Sequence, residues 1–368
     1  MDERVREHAR TLIDWSARIE AGDDVVVRVG PDAHDLAVAV AEVLGERGAN
    51  VVTTYASGEL TRAYLRAHEG DFEEDPEYER ALLEEADAVL TLGGGRNTAA
   101  TADVPGRTRQ AYDRARQEIR KARLDTKWVL TEHPTRSLAQ QAGMSYEAYQ
   151  EFVYDAINRD WEEQAEKQAK VKGVLDDASE VRIVSGDETD LTLSIEGRVA
   201  VNSAASVDYD SHNLPSGEVF TAPKATEGEV VFDVPMTVNG KRVRDVTLRF
   251  EDEEVVDYDA AQGEDAITEV LETDDGARRL GELGIGMNRG IDRVTDNILF
   301  DEKMGETVHL ALGRAYSSNF PEGHEDEANE SAVHVDLITD MSEESRIEVD
   351  GETIQEDGQF WFEDGFEE

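Results

Sequence analysis

Between residues 24 and 132, four short apolar or β-branched runs alternate with longer stretches of helical period, and few folds accept that alternation. Val25-Val26-Val27-Arg28-Val29, Asn50–Tyr55, Ala88–Leu92 and Lys127–Thr131 read as strands. His34–Glu46 and the stretches at about 59–68, 78–85 and 105–123 read as helices. Strands separated by helices of about 10–15 residues build βαβ units and a mostly parallel sheet. A long helical stretch then runs from about Tyr146 to Gln168, with Tyr149, Phe152, Val153, Ala156 and Ile157 at i, i+3, i+4 spacing. Gly93-Gly94-Gly95 follows the third strand without a GxxxxGK[ST] or GxGxxG pattern, so it reads as a plain strand-to-helix turn.

From about residue 178 the character changes. Val181–Val184, Leu191–Ile195, Val230–Phe232, Val246–Phe250 and Val255–Tyr258 are short strands between Gly, Asp and Asn turns, and helical signal is brief near Ala266–Leu271. The expected organisation is an α/β domain with a mostly parallel sheet over residues 1–177. A strand-rich α+β domain carrying the chemistry follows over 178–368. A length of 368 residues suits two domains.

Charge excludes several functions. The chain has 84 acidic and 37 basic residues and a formal net charge of −47. Phosphate backbones are gripped by Lys and Arg, so a nucleic-acid partner is not expected, and neither is docking on anionic lipid. Cysteine is absent, which removes thiolate catalysis, disulfides and sulfur-based metal sites. The carboxylates are spread along periodic segments, and only 8 of the basic residues are Lys against 29 Arg. That is the surface expected of a folded halophilic protein, because a Debye length of about 3 Å at 1 M salt screens the self-repulsion. No segment reads as membrane-spanning, and Met1–Asp24 is charged throughout without an apolar h-region, so a cytoplasmic location is expected.

With no thiolates, metal ligands must be imidazoles and carboxylates. His8, His34 and His68 lie in charged helical patterns and are expected to face solvent, His133 reads as a structural loop residue, and His324 sits in an acidic loop. His334 and Asp336 are different. They occupy a β-branched run, where positions i and i+2 share a face, so an imidazole and a carboxylate are presented together. His309 lies opposite Val308, Leu310 and Leu312 on another strand, with Asp301-Glu302 before it and Tyr316 just beyond. Glu218 and Glu282 each stand between glycine and an apolar residue, where burial costs free energy unless a cation or hydrogen bonds compensate.

These blocks, in order, resemble the thermophilic metalloaminopeptidase family of the aminopeptidase T and aminopeptidase S type. They are Asn213–Pro223, Gly281-Glu-Leu-Gly-Ile-Gly286, Leu299-Phe-Asp-Glu302, His309-Leu-Ala-Leu-Gly-Arg-Ala-Tyr316 and His334-Val-Asp336. The resemblance covers essentially the whole chain. It implies a metallo-aminopeptidase with metal ligands Glu218, Glu282, Glu302, His309, His334 and Asp336, and with Tyr316 as catalytic tyrosine. Glu282 is implied as bridging ligand or general base. The resemblance also implies homodimers acting on short peptides with a free N-terminus. One departure is the segment Lys303–Val308 between Glu302 and His309, longer than in the aminopeptidase T branch. It leaves Glu302 and Glu306 both in reach of His309, with Glu302 favoured because the Phe-Asp-Glu motif falls on it.

The chemistry of this set is coherent. Four carboxylates and two imidazoles carry −4, which two divalent cations balance, and N/O donors suit Zn, Co or Mn. Two such ions polarise a scissile carbonyl and acidify a bridging water, and Tyr316 would donate to the oxyanion. Competing expectations are another metal-dependent amide or ester hydrolase, or a metal-dependent peptide-binding protein without turnover.

Overall fold

A computed structural model describes residues 1–366. The chain forms two compact units, residues 1–159 with 205–215 and residues 160–204 with 216–368.

The first unit is an α/β layer. Asp24–Val29, Asn50–Tyr55, Ala88–Gly93 and Lys127–Glu132 pair in parallel, in the order 50–55, 24–29, 88–93, 127–132. Val25, Val26, Val27, Val89, Leu90 and Leu92 are buried, as the β-branched runs require. The short strand Asn213–Leu214 adds to Lys127–Glu132 at the edge, also in parallel. Two expected helices are divided. The stretch at 105–123 becomes Gly106–Arg114 and Gln117–Leu124. The stretch from 146 breaks after Tyr146–Ile157, and a new helix, Trp161–Asp176, starts behind Asp160, whose side chain accepts from the Glu163 amide. That second helix belongs to the second unit, so the passage between units falls at 159/160, ahead of the change in strand content near 178.

His8 is fully buried, contrary to its expected exposure. It lies on the inner face of the helix Glu3–Arg10 with Val5 and Ala9, and its Nε2 is 2.7 Å from Thr131 Oγ1. His34 is exposed, while His133 is buried just past the end of Lys127–Glu132.

The second unit holds two mostly antiparallel sheets. One has nine strands, among them Glu180–Ser185, Thr189–Ser194, Ala225–Phe232 and Lys241–Glu251. The other has five, in the order His334–Asp340, Thr307–Gly313, Leu280–Gly286, Glu218–Thr221, Val201–Ser203. A single core joins Val181, Ile183, Leu191 and Leu193 of the larger sheet to Leu283, Ile285, Val308, Leu310 and Leu337 of the smaller. Burying each such side chain contributes about 2 kcal/mol. The smaller sheet therefore has one face committed to the core, and its other face is free to carry polar groups.

Candidate metal centre

Glu218, Glu282, His309, His334 and Asp336 come from four adjacent strands of the five-stranded sheet. Glu282 is opposite Ala311, and Ala311 is opposite Asp336, so a small side chain separates two carboxylates in one cross-strand row. Cross-strand partners project to the same face, and His309, two residues before Ala311, shares it. Gly286 is the partner of Glu218 and Gly284 the partner of His309. A Cβ at Gly284 would lie 2.0 Å from His309 Cε1 and Nε2. The Gly-Glu-Leu-Gly-Ile-Gly run thus alternates apolar residues toward the core with a carboxylate and two glycines toward the site.

The distances are short. His309 Nε2 is 3.1 Å from Glu282 Oε1 and 3.5 Å from Glu218 Oε2. His334 Nε2 is 3.5 Å from both Glu282 Oε2 and Asp336 Oδ1. His334 Nδ1 donates to the Arg314 carbonyl at 2.8 Å, which aims Nε2 at the carboxylates and fixes the ring. Ligand atoms of Glu218, Glu282 and His309 all lie within 4.8 Å of one another. Behind Glu218, Gln168 Nε2 donates to the Glu218 carbonyl and to Asn202 Oδ1, both at 2.8 Å, so the helix Trp161–Asp176 steadies the strand. Tyr316 packs its ring on His334 and brings its hydroxyl 3.5 Å from Nε2.

Glu302 arrives differently. It caps the short helix Ile298–Asp301, and its carboxylate is ion-paired with Lys303. Lys303 is wholly buried, and its Nζ is also 3.6 Å from Glu218 Oε1. Asp301 anchors the turn by accepting from the Thr295 amide and hydroxyl at 2.8 and 2.7 Å, and burial pushes its pKa up to about 6. Glu306 precedes the strand Thr307–Gly313, at φ +62°, and pairs with Arg289. Glu306 thus stands just outside the strand, and the ion pair with Arg289 is what engages it. Lys303, Gln168, Ala311 and Gly284 carried no separate signal in the sequence, apart from the glycine spacing around Glu282.

Electrostatics fit a cationic occupant. Burial raises the Glu282 pKa, with His309 pulling it back. Burial works against a charged His309, yet Glu282 and Glu218 push its pKa up. Burial likewise opposes charge on His334, but Asp336 and Glu282 raise it to about 9. Asp336 is held low despite burial, by His334 first and then by the charges of His309 and Lys303. Glu218 Oε2, Glu282 Oε2 and His309 Nδ1 are buried without a hydrogen-bond partner. Buried carboxylate oxygens left open in this way are costly unless a cation meets them. The donors are oxygen and nitrogen, which suits a divalent ion.

Among known proteins, the chain is 29% identical to aminopeptidase T of Thermus aquaticus over 395 positions, covering 97% of this chain and 96% of that one. It is 30% identical to aminopeptidase T of Thermus thermophilus, with 95% and 94% covered. A solved structure of wild-type AmpT from Thermus thermophilus superposes with a TM-score of 0.82 at 26% identity, covering 98% of this chain and 99% of that one. Residues 1–366 match the model of the thermophilic metalloproteases, whose name implies a divalent metal cofactor. The chain belongs to the M29 family of thermophilic metalloproteases.

Proposed function

We propose that this chain is a metal-dependent aminopeptidase that removes N-terminal residues from short peptides. The observation that carries the reading is the convergence of Glu218, Glu282, His309, His334 and Asp336 on one sheet face, with buried carboxylate oxygens left open. Divalent ions at these residues would polarise the scissile carbonyl and acidify the attacking water. With Glu302 included, the set carries four negative charges and supports a centre with two cation positions, at least one of them suited to Zn, Co or Mn.

The chain's own groups have distinct tasks. Glu282, buried and with its pKa raised, suits the acceptance of a proton from water and its return to the leaving amine. Burial, and then the Glu282 and Asp336 charges, raise the Tyr316 pKa, so its hydroxyl stays protonated and can donate to the oxyanion. Excess carboxylate favours a substrate ammonium over a substrate carboxylate, which points to the N-terminal end of a peptide. The acidic surface supports a salt-rich cytoplasm as the setting, and the family resemblance supports a homodimer as the working form. No helix of the described residues is long and apolar enough to cross a membrane.

The test is a panel of aminoacyl chromogens, N-blocked peptides and phosphoesters, assayed in molar salt with added Co²⁺ or Zn²⁺. Turnover of free N-termini alone is expected. Hydrolysis of the blocked peptides with none of the free ones would overturn the aminopeptidase reading.

A further inference from the structure

Lys303 is the only lysine or arginine among the described residues whose side chain is fully buried. It is one of only eight lysines in a chain that otherwise prefers arginine. A buried ammonium is costly unless anionic groups meet it. The groups that meet this one are Glu302, in direct ion pair, and Glu218, at 3.6 Å. Both belong to the six residues that the family resemblance implies as metal ligands.

The two oxygens of Glu218 face different neighbours. Oε1 is turned to Lys303 Nζ, whereas Oε2 lies 3.5 Å from His309 Nε2 and has no hydrogen bond. The cluster thus has two halves. One half is Glu302 and Glu218 Oε1, with an ammonium already between them. The other is Glu218 Oε2, Glu282, His309, His334 and Asp336, which are open to an ion. The backbone holds Lys303 in place from both sides: its amide donates to Phe300 O at 3.0 Å and its carbonyl accepts from the Asn288 amide at 3.1 Å. A divalent ion on Glu302 and Glu218 would need the same oxygens as Nζ, and at such separations like charges repel strongly.

We propose that Lys303 is a built-in cation that fills one of the two cation positions, so that the chain binds one exchangeable divalent ion. Charge supports this count. Four carboxylates, one ammonium and one divalent ion sum to −1, which complements the single positive charge of a substrate N-terminus. Two divalent ions beside Lys303 would sum to +1 and repel it. That last argument rests on the aminopeptidase reading; the geometry of Lys303 does not.

Metal counting tests the assignment without turnover. The full chain, stripped with chelator in molar KCl, is loaded with excess Zn²⁺, desalted and measured for metal per chain by mass spectrometry. Wild type is expected to hold one ion, and Lys303→Gln two, as Glu302 and Glu218 Oε1 are released. Lys303→Arg keeps the charge and is expected to stay at one. Should Lys303→Gln not fold, Glu302→Gln serves in its place: it leaves the count at one if Glu302 holds Lys303, and lowers the count if Glu302 holds an ion. Two ions in wild type, or a single ion in folded Lys303→Gln, overturns the proposal. A count of one in wild type and two in Lys303→Gln, with no peptide cleaved, would sink the aminopeptidase reading and leave this one standing.

Discussion

Gly284 and His309 face each other across two antiparallel strands, and the missing side chain of one is the space that the imidazole of the other fills. Gly284→Ala would place a methyl 2.0 Å from the ring, inside any tolerable contact. The ring must then rotate out of the cluster or the strands must part. We expect bound metal to fall at least tenfold while far-ultraviolet circular dichroism stays close to wild type. Wild-type metal content in Gly284→Ala would show that His309 is not held by this packing.

Tyr316→Phe keeps the ring against His334 and removes the hydroxyl proposed to donate to the oxyanion. A loss in kcat of roughly 10²–10³ is expected, with metal content unchanged. Unaltered kcat would remove Tyr316 from the reaction.

Glu306 and Glu302 separate cleanly in this structure. Glu306→Gln removes a charge that pairs with Arg289, outside the cluster, so metal content and kcat/KM should stay within about twofold of wild type. A loss of metal in Glu306→Gln would move the site by four residues along the chain.

His8 makes stability depend on acid. Burial, with the nearby His133 charge, depresses its pKa from 6.5 to about 3. The folded state therefore keeps His8 neutral while the unfolded chain protonates it. This contribution is fully present above pH 6.5 and is lost as pH falls toward 3, amounting to several kcal/mol at most. Urea midpoints at pH 7 and pH 4.5 should diverge more for wild type than for His8→Gln. Equal divergence would show that other groups carry the acid sensitivity.

A formal charge of −47 leaves strong repulsion once salt is removed. Dilution from molar to millimolar KCl should unfold the protein or split the expected dimer, as followed by circular dichroism and light scattering. A fully active, unchanged species at low salt would separate the acidic surface from any halophilic role.

What the sequence revealed, and what it hid, follows from the range of each interaction. The valine run at 25–29 and its three partner strands are legible because burial on both faces demands continuous apolar residues. The stretch from about Tyr146 to Gln168 looks like one helix because apolar spacing continues across Asn158–Asp160. The break depends on the Asp160 cap, a local bond that periodicity does not register. His8 was hidden by its own helix, whose charged neighbours suggest an outward face. The i, i+2 pairing of His334 and Asp336 is visible in one strand, but the row Glu282–Ala311–Asp336 exists only through register. Lys303 is the hardest to foresee. A lysine beside an acidic pair resembles surface, and its burial depends on Glu218, which a distant strand brings to it.

That delivery has a consequence for how the chain assembles. Glu218, Glu282 and Asp336 are far apart in sequence and meet only when their strands dock, so pairing of His334–Asp340 with Thr307–Gly313 brings like charges together. Non-local strand pairing is already slow, and repulsion between these carboxylates would oppose it further until a cation is in place. Lys303, which follows Glu302 directly, needs no diffusion to reach its post and can neutralise part of that repulsion as soon as the sheet begins to close. The arriving ion then ties down what remains, because any ligand bound only by the folded form pulls the equilibrium toward it. Metal supply would thus govern the yield of folded chain as well as its activity.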